Sequence, residues 1–317
     1  MTMDFCQRVG SKSQILSCCL AMISVDTQYP DNPRVRDSDL CYPRPADGLS
    51  LLFLCVAFLI CGCNASPKAT YSTQRPSSHT VSTKSFVIQS DIKLSPSDGI
   101  AKALETVETQ VRDTLDLPEP RDIVNVYLFS DEASYRFYMH TTWKDLPPRR
   151  AYFVGTSREL AVYSFISPQV IEDLRHEFTH GVLHATLQTV PLWLDEGLAE
   201  YFEIPSDTPG AAHAAHLQEL QQARSEDWNP NLYRLESMSD FKDMSERDYA
   251  EAWAWTHFML NNSEDSAAVL KSYLGELRET KLPRRIQKSL ESKVPSYFTD
   301  MPAHIANLQA AHKLAGM

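Results

Sequence analysis

Cysteine is confined to one end of the chain. All seven cysteines fall within the first 63 of the 317 residues, and residues 64–317 contain none. This larger part therefore has no disulfides and no thiolate metal site, and it must fold around a hydrophobic core. Apolar residues make up 43% of the chain, which is typical of a globular protein. A metal ion bound within residues 64–317 would need His, Asp or Glu ligands.

An apolar run precedes the last cysteine. Residues 51–60 read Leu-Leu-Phe-Leu-Cys-Val-Ala-Phe-Leu-Ile, too short to span a bilayer but long enough for the hydrophobic part of a signal peptide. The following Ile60-Cys61-Gly62-Cys63 resembles a bacterial lipobox, with Cys61 departing from the usual pattern. The resemblance implies an exported lipoprotein, anchored through a lipid on Cys63 at the periplasmic or outer face of a membrane. The alternative is a buried strand or a short core helix.

Composition then divides the chain. We assign residues 1–63 to an N-terminal extension with the signal, and residues 64–83, rich in Ser, Thr and Pro, to a flexible tether. Residues 84–317 are predicted to form the folded domain. Its first lobe, 84–166, alternates strand and helix patterns, and its second lobe, 167–317, is almost entirely helical in pattern. The expected fold class is α+β.

The overall charge limits the partners. The net charge is −11, which disfavours nucleic-acid binding by broad phosphate neutralisation. Residues 64–317 alone carry 25 basic and 35 acidic residues, a net charge of −10, which disfavours direct adsorption to anionic lipids, so membrane attachment is expected through the lipid alone.

Residues 176–180 read His-Glu-Phe-Thr-His, an HExxH motif. Apolar residues recur at helical spacing around it, at Val170, Ile171, Leu174, Phe178 and Val182. On a helix, His176 and His180 lie one turn apart on one face, where both imidazoles can bind one metal ion with Glu177 beside it. The alternative is a helix with two coincidental histidines.

A second segment supplies a carboxylate. Residues 191–203 read Pro-Leu-Trp-Leu-Asp-Glu-Gly-Leu-Ala-Glu-Tyr-Phe-Glu and predict a following helix. Together the two segments resemble the gluzincin metallopeptidases, and more narrowly the peptidase-MA-like group, over roughly residues 120–262. The resemblance implies a zincin-like fold with a small mixed sheet lobe before the helical lobe. It also implies one Zn²⁺ ion held by His176, His180 and Glu196, and Glu177 as the general base on a zinc-bound water.

Several neighbouring residues leave alternatives open. Glu200, one turn after Glu196, is the second candidate for the third ligand. If it is not the ligand, we expect it to accept the other ring N–H of a ligand histidine, or to be a solvated carboxylate. His184 is expected to pack or to contact the site from outside, because two helical turns carry its side chain away from a single ion.

Two further elements have candidate roles by the same resemblance. Tyr249 on a later helix is the first candidate to hydrogen-bond the oxyanion and His257 the second, the alternative being an aromatic core stripe. Residues 160–165 are expected at a sheet edge where an extended peptide could pair, or else in an ordinary buried strand. The chain lacks the G-x-M-E-N segment of the aminopeptidases, so an aminopeptidase is not expected.

The sequence thus favours a zinc-dependent peptidase acting on a peptide or protein substrate at a bacterial membrane. A second hypothesis is a non-catalytic zincin-fold lipoprotein that binds an envelope partner. A third is an envelope scaffold without metal. The presence of Glu177 favours the peptidase, since binding zinc does not require that carboxylate.

Overall fold

The computed structural model describes residues 71–315. The apolar run 51–60, Cys63 and residues 64–70 of the predicted tether lie outside this part of the chain. No helix within residues 71–315 is long and apolar enough to cross a bilayer.

A five-stranded mixed sheet forms the first part of the domain, with strand order β1-β2-β3-β5-β4. Strands β2, β3 and β5 are parallel neighbours, and the outer strands β1 and β4 pair antiparallel with β2 and β5. The strands are β1 His79–Ser82, β2 Phe86–Ser90, β3 Val124–Phe129, β4 Tyr152–Gly155 and β5 Leu160–Phe165.

Ten α-helices occur among residues 71–315, and most of them follow the sheet. They are α1 Ile100–Leu115, α2 Glu132–Thr142, α3 Val170–Thr186, α4 Leu192–Glu203, α5 Ala214–Ser225, α6 Leu232–Leu235, α7 Glu246–Asn261, α8 Glu264–Glu279, α9 Ile286–Lys293 and α10 Tyr297–Ala315. The predicted α+β class, with a sheet on the N-terminal side and a mostly helical region after it, is confirmed.

The folded domain begins earlier than predicted. Residues 71–83, assigned from sequence to the tether, contain β1, which pairs antiparallel with β2. Arg75 also binds the sheet, through an ion pair to Glu159 at 2.5 Å and a hydrogen bond to the Tyr127 hydroxyl at 2.8 Å. Strand β1 is short and polar, so its sequence has no apolar alternation from which a strand could be predicted. It is held by main-chain pairing with β2.

The edge strand on the β5 side of the sheet is β4. The expectation that residues 160–165 form an edge strand is wrong, because β5 lies between β3 and β4. The alternative of an ordinary interior strand is the one observed. A tight turn folds β4 back onto β5, with the Thr156 amide donating to the Glu159 carbonyl at 2.9 Å. Among the strands of residues 71–315, β5 is the one that pairs with β4.

Helix α3 lies against one face of the sheet, and the approach is close. A Cβ atom at Gly181 would lie 2.8 Å from Cγ1 of Val124 in β3. The Phe178 ring packs edge-on against Phe86 of β2, with centroids 5.2 Å apart. Glycine at position 181 is therefore required by space, and it presses the HExxH helix onto the central strands.

Helix α4 lies equally close to α7. A Cβ atom at Gly197 would lie 2.5 Å from both the Ala252 carbonyl oxygen and the Thr256 hydroxyl oxygen. Real side chains do not tolerate such a distance, so the glycine after Glu196 sets the separation of these two helices.

Candidate metal centre

The two histidines of the HExxH motif are completely buried. His176 and His180 are both 0% exposed, and their ring centroids are 5.0 Å apart. Within residues 71–315, neither Nε2 atom has a hydrogen-bond partner. A buried polar nitrogen without a hydrogen bond is costly, and such atoms in a native protein call for an explanation. A bound metal ion supplies one.

Glu196 of α4 completes a group of three ligands. Its Oε2 atom is 3.7 Å from Nε2 of His176 and 3.9 Å from Nε2 of His180, and its side chain is fully buried. Tetrahedral bonds of zinc-like length separate two ligand atoms by about 3.4 Å. The three atoms are close to that spacing, so His176, His180 and Glu196 could hold a metal ion.

Two other carboxylates fix the orientation of the imidazoles. The Nδ1 atom of His180 lies 2.8 Å from Oδ1 of Asp195, and Nδ1 of His176 lies 3.2 Å from Oε2 of Glu203. A carboxylate at Nδ1 favours the tautomer in which Nδ1–H donates and the Nε2 lone pair faces the centre. The expectation that Glu200 takes this role is wrong: Asp195 and Glu203 do.

Asp195 contacts a second imidazole. Its other oxygen, Oδ2, lies 2.8 Å from Nε2 of His184, and the His184 ring stacks on Phe153 at 5.3 Å. Burial alone would raise the pKa of Asp195, but the His180 and His184 imidazoles hold it well below its usual range. Asp195 therefore stays ionised and can accept from both rings. His184 contacts the centre from outside, through Asp195, which is one of the two arrangements expected for it.

The end of α4 is attached to α3 through Glu203 and Arg175. The Arg175 guanidinium donates to the Glu203 carbonyl at 3.0 Å and to the Gln110 side chain at 2.9 Å. Burial alone would lower the pKa of His176, but the Glu196 and Glu203 carboxylates raise it well above the ordinary value. The centre thus has an excess of negative charge that a proton or a cation can balance.

Glu177 is held by the edge strand. Its Oε2 atom accepts the Phe153 amide of β4 at 2.6 Å, and the residue is fully buried. Arg150, just before β4, donates to Asp173 of α3 at 2.6 Å, which joins the two elements a second time. The Phe153 ring stacks on the His180 ring, with centroids 6.1 Å apart and planes inclined by 29°. Strand β4 therefore lies directly beside the Glu177 carboxylate and the His180 ring.

Glu200 belongs to a neighbouring group. Its Oε2 atom lies 2.8 Å from Nε2 of His216 and 3.6 Å from Nε2 of His213. Burial and the adjacent His216 lower the pKa of His213 to about 4. Glu200 also approaches His176 and Glu203 within 4.8 Å. It lies beside the first group rather than within it.

The two oxyanion candidates differ in position. Tyr249 is buried, and it shares the face of α7 on which Ala252 and Thr256 contact α4. His257 is engaged elsewhere: Nδ1 lies 2.8 Å from Nε2 of His304, and Nε2 lies 3.1 Å from the Gly210 carbonyl. Both ring nitrogens of His257 thus have partners, and the oxyanion role of either residue stays a prediction.

Sequence reasoning missed four residues of these groups, Asp195, Glu203, His213 and His216. The first directly precedes Glu196, and the second lies seven residues after it on the same helix. The two histidines form a His-Ala-Ala-His sequence, whose i, i+3 spacing is a recognisable signal on a helix. What was missing was the knowledge of which helices meet.

Comparison with known protein families gives a match to part of the chain. A model of the family described as "Protein of unknown function (DUF1570)" matches residues 170–281. The matched segment runs from α3 through α8 and contains all the His, Asp and Glu residues of both groups. No curated protein matches the chain.

Proposed function

We propose that the protein is a zinc-dependent peptidase of the gluzincin type that cleaves a peptide or protein substrate. The observation that carries the proposal is the convergence of His176, His180 and Glu196, with two buried Nε2 atoms that lack a hydrogen bond among the described residues. Two imidazoles and one carboxylate are a ligand set typical of catalytic zinc, in which a fourth position stays open. The donors therefore fit the ion.

The chain would hold zinc through those three side chains. When bound, zinc supplies a Lewis acid and lowers the pKa of a water molecule to near neutrality. Asp195 and Glu203 orient the two imidazoles and increase their basicity. Helix α7, pressed against α4 at Gly197, keeps Glu196 in register with them.

Glu177 is proposed to move the proton. The Phe153 amide fixes one carboxylate oxygen at 2.6 Å, so the side chain does not need to reorganise when it accepts a proton from the attacking water. The same carboxyl can then return the proton to the leaving amine. Tyr249 is proposed to donate to the developing oxyanion, because it lies on the face of α7 that borders α4.

The edge of β4 is proposed to align the substrate. An extended peptide can add to an edge strand by main-chain hydrogen bonds. Because Phe153 of β4 also holds Glu177, a peptide bound there would pass beside the base.

The proposed location is the envelope of a bacterium. The apolar run and Cys63 support export and lipid anchoring, and the net charge of −11 is consistent with attachment by the lipid rather than by the protein surface. Replacing Cys63 by Ser is expected to move the protein from the membrane fraction to the soluble fraction. A variant that stays in the membrane fraction would contradict lipid anchoring at this residue.

The activity is tested with the full chain in detergent and a quenched-peptide library. Glu177→Gln is expected to keep its zinc content and to lose hydrolysis by at least about 100-fold. The matched control is Glu105→Gln, an exposed carboxylate on α1. Cleavage by the wild type should stop with a chelator and return with zinc.

Two outcomes would reject the peptidase. One is a Glu177→Gln variant as active as the wild type, and the other is a wild type that binds zinc and cleaves nothing in the library. The second outcome favours the alternative function, a non-catalytic lipoprotein that keeps the metal and binds an envelope partner.

A further inference from the structure

A second group of metal-binding side chains lies beside the first. His213 and His216 face Glu200, and one donor atom of each lies within 4.8 Å of the others. All three residues are buried. We propose that Glu200, His213 and His216 form a second site for a divalent transition-metal ion, one helical turn further along α4 than the Glu196 site.

The position of His213 favours a shared ion over a simple ion pair. A single imidazole is sufficient to pair with the Glu200 carboxylate, and His216 does so at 2.8 Å. His213 nevertheless directs its Nε2 to the same oxygen, at 3.6 Å, which is too long for a hydrogen bond. Tetrahedral coordination separates ligand atoms by about 3.4 Å. The 3.6 Å contact of His213 is near that spacing, whereas the 2.8 Å contact of His216 is a hydrogen bond that would lengthen by about 0.6 Å when an ion binds.

The local fold brings the two imidazoles together. His213 is the N-cap of α5 and His216 lies in its first turn, so the i, i+3 spacing places both rings on one side. The rings are stacked with centroids 3.9 Å apart. Trp253 of α7 packs against both, at 6.5 Å from His213 and 5.6 Å from His216. The indole therefore limits the rotation of either ring away from Glu200.

The helix cap does not prevent coordination by His213. In the structure its Nδ1 atom accepts the His216 amide at 3.4 Å, which is long for a hydrogen bond. Transfer of the ring proton to Nδ1 would give up only this weak contact, and it would leave the Nε2 lone pair directed at the ion.

The donor set defines the chemical class of ion. Two imidazole nitrogens and one carboxylate oxygen suit zinc and the other late first-row divalent ions, whereas magnesium and calcium prefer sites made of oxygen atoms. The two sites would be neighbours, because Glu200 also approaches His176. This inference concerns metal binding alone and does not require hydrolysis.

The first test counts zinc in the full chain after metal removal and reloading. The variant His213→Gln with His216→Gln keeps side chains that can donate to Glu200, and it should hold one zinc equivalent fewer than the wild type. The pair His176→Gln with His180→Gln should also lose one. The control removes two exposed imidazoles, His79→Ala with His140→Ala, and should lose none. The N-terminal cysteines are present in every variant, so their contribution cancels.

Unchanged zinc content in the His213/His216 variant would overturn the second site. A measurement that requires no variant is anomalous diffraction at the zinc edge from wild-type crystals soaked in Zn²⁺. Two peaks, one at each group, are expected. A single peak at His176 and His180 would also overturn the proposal, and it would leave the peptidase proposal intact.

Discussion

Asp195→Asn tests how the centre is organised. The carboxylate uses both oxygens, each at 2.8 Å, one to Nδ1 of His180 and one to Nε2 of His184. Asparagine has the same shape but a single acceptor oxygen and no charge. His184 is partly exposed, so water can replace its lost partner, and the amide oxygen can remain with His180. The main effect of the substitution is then the loss of the negative charge next to His180, one of the candidate metal ligands.

Removing an outer carboxylate of this kind weakens metal binding by about 10- to 100-fold, or about 1.4–2.7 kcal/mol. Competition with a chromogenic chelator measures the zinc affinity of wild type and variant. Glu203→Gln is the comparison: its carboxylate is more exposed and more distant from its imidazole, at 3.2 Å, so a smaller loss is expected. Melting curves of the metal-free proteins separate affinity from folding. A zinc affinity of Asp195→Asn within about twofold of the wild type would refute the assigned role.

Three further changes test the fold around the centre. Gly197→Ala places a Cβ atom 2.5 Å from the Ala252 carbonyl oxygen, so helices α4 and α7 must separate. The free energy of unfolding should fall by about 1–3 kcal/mol, and zinc binding should weaken. An unchanged melting curve would contradict the close approach of the two helices. Burial lowers the pKa of His257 to about 4. As pH falls, position 257 is protonated in the unfolded chain before it is protonated in the folded one, so stability should decrease between about pH 6.5 and pH 4. His257→Gln should flatten that decrease in acid denaturation curves. An unaltered pH profile would contradict the low pKa of His257. Arg75→Ala removes the ion pair to Glu159 and should lower the free energy of unfolding by about 1 kcal/mol. It should also make residues 71–83 more accessible to limited proteolysis. Equal digestion of the wild type and the variant would show that Arg75 does not hold this segment.

The elements that bury an apolar stripe could be predicted with good boundaries. Helix α3 was expected from the spacing of its apolar residues, and it runs from Val170 to Thr186. The β-rich run Ile-Val-Asn-Val-Tyr-Leu-Phe at residues 123–129 predicts a strand, and β3 covers Val124–Phe129. Helix α5 was not assigned, because it is polar apart from a few residues that pack inward. Local periodicity reports which residues are buried, and α5 buries too few to stand out.

The candidate metal ligands are a comparable case. A helix places two residues four apart on one face, so the pairing of His176 with His180 follows from the sequence alone. The carboxylates at their Nδ1 atoms do not, because Asp195, Glu200 and Glu203 occupy neighbouring turns of one helix. Only the crossing of α3 and α4 determines which of the three meets which ring.

The sequence by itself determined the order of sheet and helices, the motif on α3 and the acidic residues of α4, since each depends on spacing within one segment. The tertiary structure decided which strand lies at the edge, that residues before position 84 join the sheet, and that His213 and His216 face Glu200. These features depend on contacts between segments far apart in the chain. Such contacts are set by the packing of whole elements, which short-range patterns do not encode.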